Sequence, residues 1–391
     1  MNNSHKPSVY DIIIIGAGPA GLKAGLTVTE NSGLKVLVTD KIVPWDKPIP
    51  CAEGVGRLGL ERSLEVRPAW IRQVISKACF HAPNNTTVTY QDKNKGYIID
   101  RARMQKDLYE TISSRGGEFI FGKKVIGVES SLNGHRLIHF DDTTSLKARV
   151  VIDASGPVGL LGRKEQICWK PYDLESACFV VAENVDIPQD TVHIQAGSSI
   201  APGGYAWIFP RGENRANIGV VVGGKFRNGV NIRDLLDQHL KTNFPDAKVI
   251  TTFAGSISCG YQRKTIALPG FIKAGDAASA VNPISRAGIS EALLSGDLAG
   301  TSAIEMLKTS QENKQRQICR KYEKMWYKEL GRRHLKLAKV KASLYSVPDE
   351  DYNKAAATLQ SLSLEEITMS KIFKVSLGRF PRLVWALRHL M

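Results

Sequence analysis

Tyr10-Asp11-Ile12-Ile13-Ile14-Ile15-Gly16-Ala17-Gly18-Pro19-Ala20-Gly21 decides how the N-terminal part of this chain folds. The four consecutive isoleucines predict a buried strand. The strand runs into a glycine-rich turn, and a helix follows. Gly-x-Gly-x-x-Gly between strand and helix is a dinucleotide fingerprint. Gly16 makes the tight turn, Gly18 lets a pyrophosphate approach the backbone, and Gly21 lets the helix pack closely. The turn alone does not separate NAD from FAD. A distant stretch does, Gly270-Phe271-Ile272-Lys273-Ala274-Gly275-Asp276-Ala277-Ala278, a second strand ending in Gly275-Asp276 before another helix. Two such ends suit a long cofactor held at both extremities. FAD is one, and NAD needs no second clamp of this kind.

Outward from the first turn, Leu34–Asp40 reads as a second strand. It ends on Asp40, where a carboxylate meets adenosine ribose hydroxyls, and Lys41 after it joins the expected cofactor-binding residues. The next twenty residues hold Pro44, Pro48, Pro50, Gly54, Gly56 and Gly59, and so irregular a loop is usually functional. Residues 74–99 read as paired strands with a polar turn between Tyr90 and Tyr97. Asp100-Arg101 opens a helix, two strands follow near 119–128, and Arg149–Asp153 is a strand ending in Ala154-Ser155-Gly156-Pro157. From 163 to 260 the pattern is β-rich with few helical periods, which predicts a second, antiparallel sheet. Residues 289–345 read as helical, with Ile289, Leu293 and Gly296 on one face and a long charged helix through 320–340.

The expected fold is therefore α/β with an α+β insertion. A Rossmann-like FAD-binding domain (8–74, 98–162 and 262–308) carries an inserted antiparallel substrate-binding β-sheet domain (75–97 and 163–261). A helical C-terminal region (309–391) follows.

The chain has 391 residues, 43% hydrophobic and 23% charged, an ordinary globular composition. No apolar run reaches the ~18 residues of a membrane span, and residues 1–7 lack a signal-peptide core, so a cytoplasmic location is expected. The six cysteines form no C-x-x-C, so no disulfide framework, zinc site or iron–sulfur cluster is expected. The net charge of +15 is either a solvated basic surface or an attraction to something anionic: a membrane surface, a phosphorylated substrate or an acidic redox partner. No nucleic-acid motif is present. Near the C-terminus Lys371, Lys374, Arg379, Arg382 and Arg388 alternate with Ile372, Phe373, Leu377, Phe380, Leu383, Trp385 and Leu387. Such a segment either lies peripherally on an anionic membrane or packs as a terminal helix.

Together these residues resemble the group-A flavoprotein fold of aromatic hydroxylases and their relatives. Within it, Tyr205-Ala206-Trp207-Ile208-Phe209-Pro210 resembles the Y-x-W-x-F-P motif of the geranylgeranyl reductase family. Pro50-Cys51-Ala52-Glu53-Gly54 resembles that family's Cys-Gly-Glu loop, and Asn282-Pro283-Ile284-Ser285-Arg286-Ala287-Gly288-Ile289 its flavin-facing turn. The likeness runs from about residue 9 to 300. The chain departs from the pattern at Ala52, at Ser-Arg-Ala-Gly where Thr-Gly-Gly-Gly is common, and at Gly219-Val220-Val221, which keeps one glycine of a G-x-G.

The resemblance implies that Arg101 contacts the flavin nucleotide and that Val125 offers its backbone to the adenine. Asp153 and Gly156 match the fold's central Asp-Gly segment. Asp276 would accept from ribityl hydroxyls, and Pro283, Gly288 and Ile289 would bring a helix N-terminus to the flavin. Ala20 and Ala52 belong to the same cofactor set. Cys51 would lie near the isoalloxazine with a catalytic or redox role, and Glu53 could relay a proton. Each has a plainer reading: small loop side chain, solvated acid, strand-end cap or helix cap. Tyr205, Trp207 and Phe209 share one face of a strand. They are either sheet core or, with Pro210 and Gly219, the wall of an isoprenoid channel.

The implied activity is FAD-dependent reduction of isoprenoid C=C bonds, with hydride passing from reduced flavin N5 to a prenyl lipid or prenyl diphosphate. The electron donor would be NADPH or a ferredoxin-like protein. A flavin monooxygenase or halogenase shares the fold, but halogenases show Trp-x-Trp-x-Ile-Pro at the aromatic motif. A non-catalytic prenyl-lipid carrier of related fold is the third reading, and the intact glycines argue against it.

Overall fold

The computed structural model describes residues 9–30, 33–43, 48–130, 134–157, 173–261, 264–345, 347–368, 371–372 and 375. The chain begins β1 (Val9–Ile15), α1 (Pro19–Thr29), β2 (Val36–Asp40), β3 (Gly54–Gly56), α2 (Arg57–Glu61), β4 (Ile71–His81), β5 (Thr87–Ile99) and α3 (Arg101–Ser114). It continues β6 (Glu118–Phe121), β7 (Val125–Ser130), β8 (Arg136–Phe140), β9 (Ser145–Asp153), β10 (Leu174–Glu183), β11 (Thr191–Gln195), β12 (Tyr205–Gly212), β13 (Arg215–Val222), α4 (Ile232–Asn243) and β14 (Lys248–Ser258). It closes with β15 (Ala267–Leu268), β16 (Phe271–Lys273), α5 (Ile289–Leu307), α6 (Glu312–Trp326), α7 (Arg332–Leu344) and α8 (Asp349–Gln360).

The isoleucine run occupies the middle of the first sheet, ordered β15-β16-β9-β1-β2-β6, with the β7–β8 hairpin attached through β8 to β9. β1 pairs in parallel with β2 and β9, and β16 in parallel with β9. Both faces of β1 are buried. Ile12 and Ile14 join the core under α1, α3 and α5, while Ile13 and Ile15 join the core under β7 and β8. A strand covered on both sides must be apolar throughout, which the four isoleucines satisfy.

The second sheet is ordered β14-β10-β13-β12-β11-β4-β5-β3. Its far face packs under α4, where Leu236 joins Val180, Ile218 and Val220. Three details differ from expectation. Residues 87–99 form one strand, both halves of which pair with β4 rather than with each other, and 92–95 stand opposite Ser76 alone where the register shifts. β4 and β11 pair in parallel within a sheet whose other ladders are antiparallel. The β-rich stretch also holds α4, whose Ile232, Leu236 and Leu240 keep i, i+4 spacing. The charged helix begins at Glu312 and passes through a π turn at Tyr327–Gly331 into α7. Of the basic C-terminal segment, Lys374, Arg379, Arg382 and Arg388 lie outside the described residues, as does Cys168. Among the described residues no helix is long and apolar enough to cross a membrane.

Candidate flavin and substrate site

The two glycine-bearing ends meet because their strands end level and their helices touch. Ile15 pairs with Asp153, and Asp153 with Lys273, so β1, β9 and β16 finish side by side. In α/β sheets the crevice beyond the carboxyl ends of the strands is where ligands bind. α1 and α5 then pack backbone to backbone. A Cβ at Gly296 would collide with the Ala20 carbonyl, and one at Gly275 would press on the Ala20 methyl.

Gly16 turns with φ +104, and a Cβ there would strike the Ala154 carbonyl. Gly18 is the N-cap of α1, and space for 4 Å around its Cβ position is empty. Asp40 spans the turn: its Oδ2 accepts from the Ala17 amide at 2.8 Å and its Oδ1 from the Ile42 amide at 2.9 Å. Lys41 beside it is exposed.

A cavity of about 690 Å³ runs from this turn to the second sheet. Gly18, Ala20, Arg101, Gly156, Gly275, Asp276, Gly288 and Ile289 line one end. Cys51, Ala52 and Glu53 line its middle, and Tyr205, Trp207 and Phe209 its far wall. Gly16 and Gly21 lie behind the turn. Val125 is buried at the start of β7, and Pro283, Pro210 and Gly219 are buried next to cavity residues. Asp153 faces inward: its carboxylate is held by the Lys273 ammonium and by Ser155, both within the protein.

Asp276 carries the clearest electrostatic signature. Burial pushes its carboxyl up to about 6, against the pull of Arg101. Among the described residues no group donates a hydrogen bond to that carboxylate. The Arg101 guanidinium donates through Nε to Gln105 at 2.7 Å, and Gln105 in turn donates to the Ala17 carbonyl. An open cradle at Gly18 and Gly156 and an acceptor without donors at Asp276 fit a flavin nucleotide with a pyrophosphate at one end and ribityl hydroxyls at the other.

The loop holding Cys51 is tied down from both sheets. Glu53 adopts φ +65 and is 7% exposed. Its carboxylate pairs with Arg211 at 3.1 Å and accepts from the Arg101 amide at 3.3 Å. Burial raises its pKa, while Arg211 and Arg72 oppose that rise. The Cys51 Sγ accepts from the Glu53 amide at 3.2 Å.

On β12 the alternation puts Tyr205, Trp207 and Phe209 on the cavity face, and Ala206 and Ile208 in the opposite core. Neighbouring rings are 6.3 and 6.5 Å apart. Phe179 extends the wall, 5.9 Å from Trp207 and stacked on Phe253. The Trp207 indole donates to Asn217 Oδ1 at 2.9 Å, and Asn217 Nδ2 donates to the Cys51 carbonyl at 3.0 Å.

Arg286 occupies the turn at φ +58. It makes a two-pronged pair with the fully buried Glu175 at 2.8 and 3.1 Å and lies 4.7 Å over the Tyr205 ring. Lys341 of α7 reaches the same Glu175 at 2.5 Å.

Asn217, Phe179, Arg286 and Glu175 are the residues that sequence reasoning missed as part of the site. Asn217 stood out only as an amide in the apolar run of β13. Arg286 was visible as a departure from the flavin-facing turn. Nothing local marks Phe179 or Glu175.

Residues 173–257 match the family model of the geranylgeranyl reductase catalytic domain, and residues 11–171 that of the lycopene cyclase protein. The chain is similar to digeranylgeranylglycerophospholipid reductase 1 of Methanococcoides burtonii, 31% identical over 97% of this chain and 95% of that one. The corresponding reductase of Methanosarcina acetivorans is 29% identical over 98% and 96%. Among solved structures, a geranylgeranyl bacteriochlorophyll reductase-like protein of Thermoplasma acidophilum matches with a TM-score of 0.88 and 25% identity over 98% of this chain and 100% of that one. A flavin-dependent brominase matches with a TM-score of 0.69 and 18% identity over 96% and 100%, a likeness of fold alone.

Proposed function

The chain belongs to the geranylgeranyl reductase family, and from that premise we propose that it is an FAD-dependent oxidoreductase reducing isoprenoid carbon–carbon double bonds of a prenyl lipid or prenyl diphosphate. One observation carries this reading: a single cavity joins the glycine turn, Asp276 and the aromatic wall. Bound and reduced, the flavin would supply the hydride.

The chain's own residues do the rest. Gly18 and the first turn of α1 would give the pyrophosphate its backbone donors, while Gly16, whose amide is spent on the Thr39 carbonyl, and Gly21 shape the turn and Asp40 braces it. Arg101 and Asp276 would hold the middle of the nucleotide, and Gly288 and Ile289 at the N-terminus of α5 would be its partners at the flavin end of the cavity. Asp153 acts one layer out, locking β16 beside β9. Tyr205, Trp207, Phe209 and Phe179 bind the apolar chain and keep water out. An isolated trisubstituted alkene is a poor hydride acceptor, so a proton must arrive close by and in a dry site. Cys51 is the proton donor in this reading, and Glu53 holds its loop in place while lending a carboxyl that stays protonated to higher pH than usual. We divide the chain into a split cofactor domain (8–74, 98–162 and 262–308), an inserted substrate sheet domain (75–97 and 163–261) and a C-terminal helical region (309–391). NADPH or a ferredoxin-like donor would reduce the flavin, and the basic surface would draw the protein to anionic lipid.

The test is anaerobic turnover. Dithionite-reduced protein is incubated with geranylgeranyl lipids and the products are weighed by mass spectrometry. A gain of two hydrogens per double bond without oxygen supports the reading. Unchanged lipid, with turnover of another compound once oxygen is admitted, overturns it in favour of a monooxygenase or halogenase.

A further inference from the structure

We propose that Cys79, His81 and His193 bind a zinc-class divalent ion on the second sheet, on the face turned away from the flavin cavity. The Sγ of Cys79 and one ring nitrogen from each histidine all lie within 4.8 Å of one another. Cys79 and His193 are directly paired in the parallel β4–β11 ladder, and His81 stands two residues on from Cys79, so period-2 alternation brings all three to one side. Ala78 and Val192, their neighbours in sequence, line the flavin cavity and so face the other way.

The donor atoms are already gathered in one place. His81 Nε2 and His193 Nδ1 are 3.0 Å apart, with ring centroids at 5.3 Å. Tetrahedral zinc with bonds of ~2.0–2.1 Å to nitrogen and ~2.3 Å to sulfur needs donor–donor separations only slightly different from these. The outward Nε2 of His193 is buried with no hydrogen-bond partner among the described residues, and so is the Nε2 of His239 on α4 beside them.

The donor set selects the ion. One thiolate and two imidazoles suit zinc, cobalt or copper, and disfavour magnesium and calcium, which take oxygen ligands. Binding replaces the His81–His193 hydrogen bond with two metal–nitrogen bonds and releases the Cys79 thiol proton to solvent. No electron changes hands. His81 and His193 are only half-buried, which would leave the fourth position open to water. The ion would stitch β4 to β11, the ladder where the early β4–β5 hairpin meets the later strands of the sheet. No short cysteine motif announces the site, because its ligands sit on two strands far apart in sequence.

The experiment uses the purified full-length chain, stripped with a chelator and titrated with Co²⁺ and then Zn²⁺. One cobalt per chain should bind with a thiolate-to-cobalt charge-transfer absorption that zinc abolishes, and zinc should raise the thermal midpoint. Cys79→Ser should lose the charge-transfer band. His193→Ala should lower zinc affinity by about tenfold or more, the scale that even an outer partner of a metal site commands. Should His193→Ala fail to retain flavin, His81→Asn gives the same readout at a half-exposed position. No charge-transfer band at stoichiometric cobalt, or equal zinc affinity and thermal shift in wild type and variants, overturns the proposal and leaves His81 and His193 as a hydrogen-bonded pair.

Discussion

Gly219 lies beneath the indole of Trp207. A Cβ at that position would collide with the Trp207 ring and with the Cβ of Phe179, so the missing side chain is what lets both rings lie flat in the cavity wall. Gly219→Ala should tilt the wall at an overpacking cost of about 1–3 kcal/mol. Flavin content should be unchanged while KM rises most for the longest prenyl chains, measured across substrates of increasing length.

Asn217 is fully buried and bridges Trp207 to the backbone of Cys51. Asn217→Leu strands an indole N–H and a carbonyl, and each buried unpaired group costs about 1–3 kcal/mol. The variant should unfold at lower denaturant than wild type. It should also lose turnover beyond what its lower stability explains, because the Cys51 loop loses its tether. Urea midpoints and single-turnover rates at saturating flavin measure the two effects separately.

Asp276 gives the site its pH dependence. Its folded-state pKa of about 6 stands above the ordinary value of 3.8, so in flavin-free protein the neutral acid is favoured. That contribution to stability is full below about pH 4 and is lost as the pH rises through about 6. Flavin hydroxyls donating to the carboxylate reverse the preference. FAD affinity should therefore weaken below about pH 6, by at most about tenfold per pH unit. Asp276→Asn should bind FAD more weakly and with a flat pH profile, followed by fluorescence quenching. A wild-type profile in the variant would remove Asp276 from the binding site.

Glu175 neutralises Arg286 and shares Lys341 with Asp173. Glu175→Gln leaves the Arg286 guanidinium buried without a counter-charge, and breaking such a pair costs about 3–5 kcal/mol. The loss should appear in equilibrium unfolding.

Cys51→Ala should keep its flavin spectrum and lose most turnover in single-turnover assays with pre-reduced protein. Full activity would demote Cys51 to a packing role.

The cofactor half of the fold was legible because its signals are local. A strand buried on both faces, three glycines at fixed spacing and a Gly-Asp strand end can each be read within a dozen residues. The aromatic wall was legible for the same reason, since period 2 places Tyr205, Trp207 and Phe209 together. What escaped depends on pairing between distant segments. Nothing near Glu175 announces Arg286, and nothing near Cys79 announces His193. The stretch through 91–96 reads as a turn between two paired strands, but its two flanks both pair with β4, whose register shifts across it. α4 could have been found from its i, i+4 leucines, which the surrounding β pattern obscured.

The close approach of α5 to α1 through Gly296 and Ala20 has a consequence for biosynthesis. One side of the flavin cleft is made by the turn at Gly18–Ala20 and the other by residues between Gly275 and Ala292, far later in the sequence. The nascent chain therefore has no complete cleft until α5 has emerged, and the inserted sheet must fold or wait during that interval. A truncated chain that stops before α5 should therefore be colourless however well its N-terminal turn had formed.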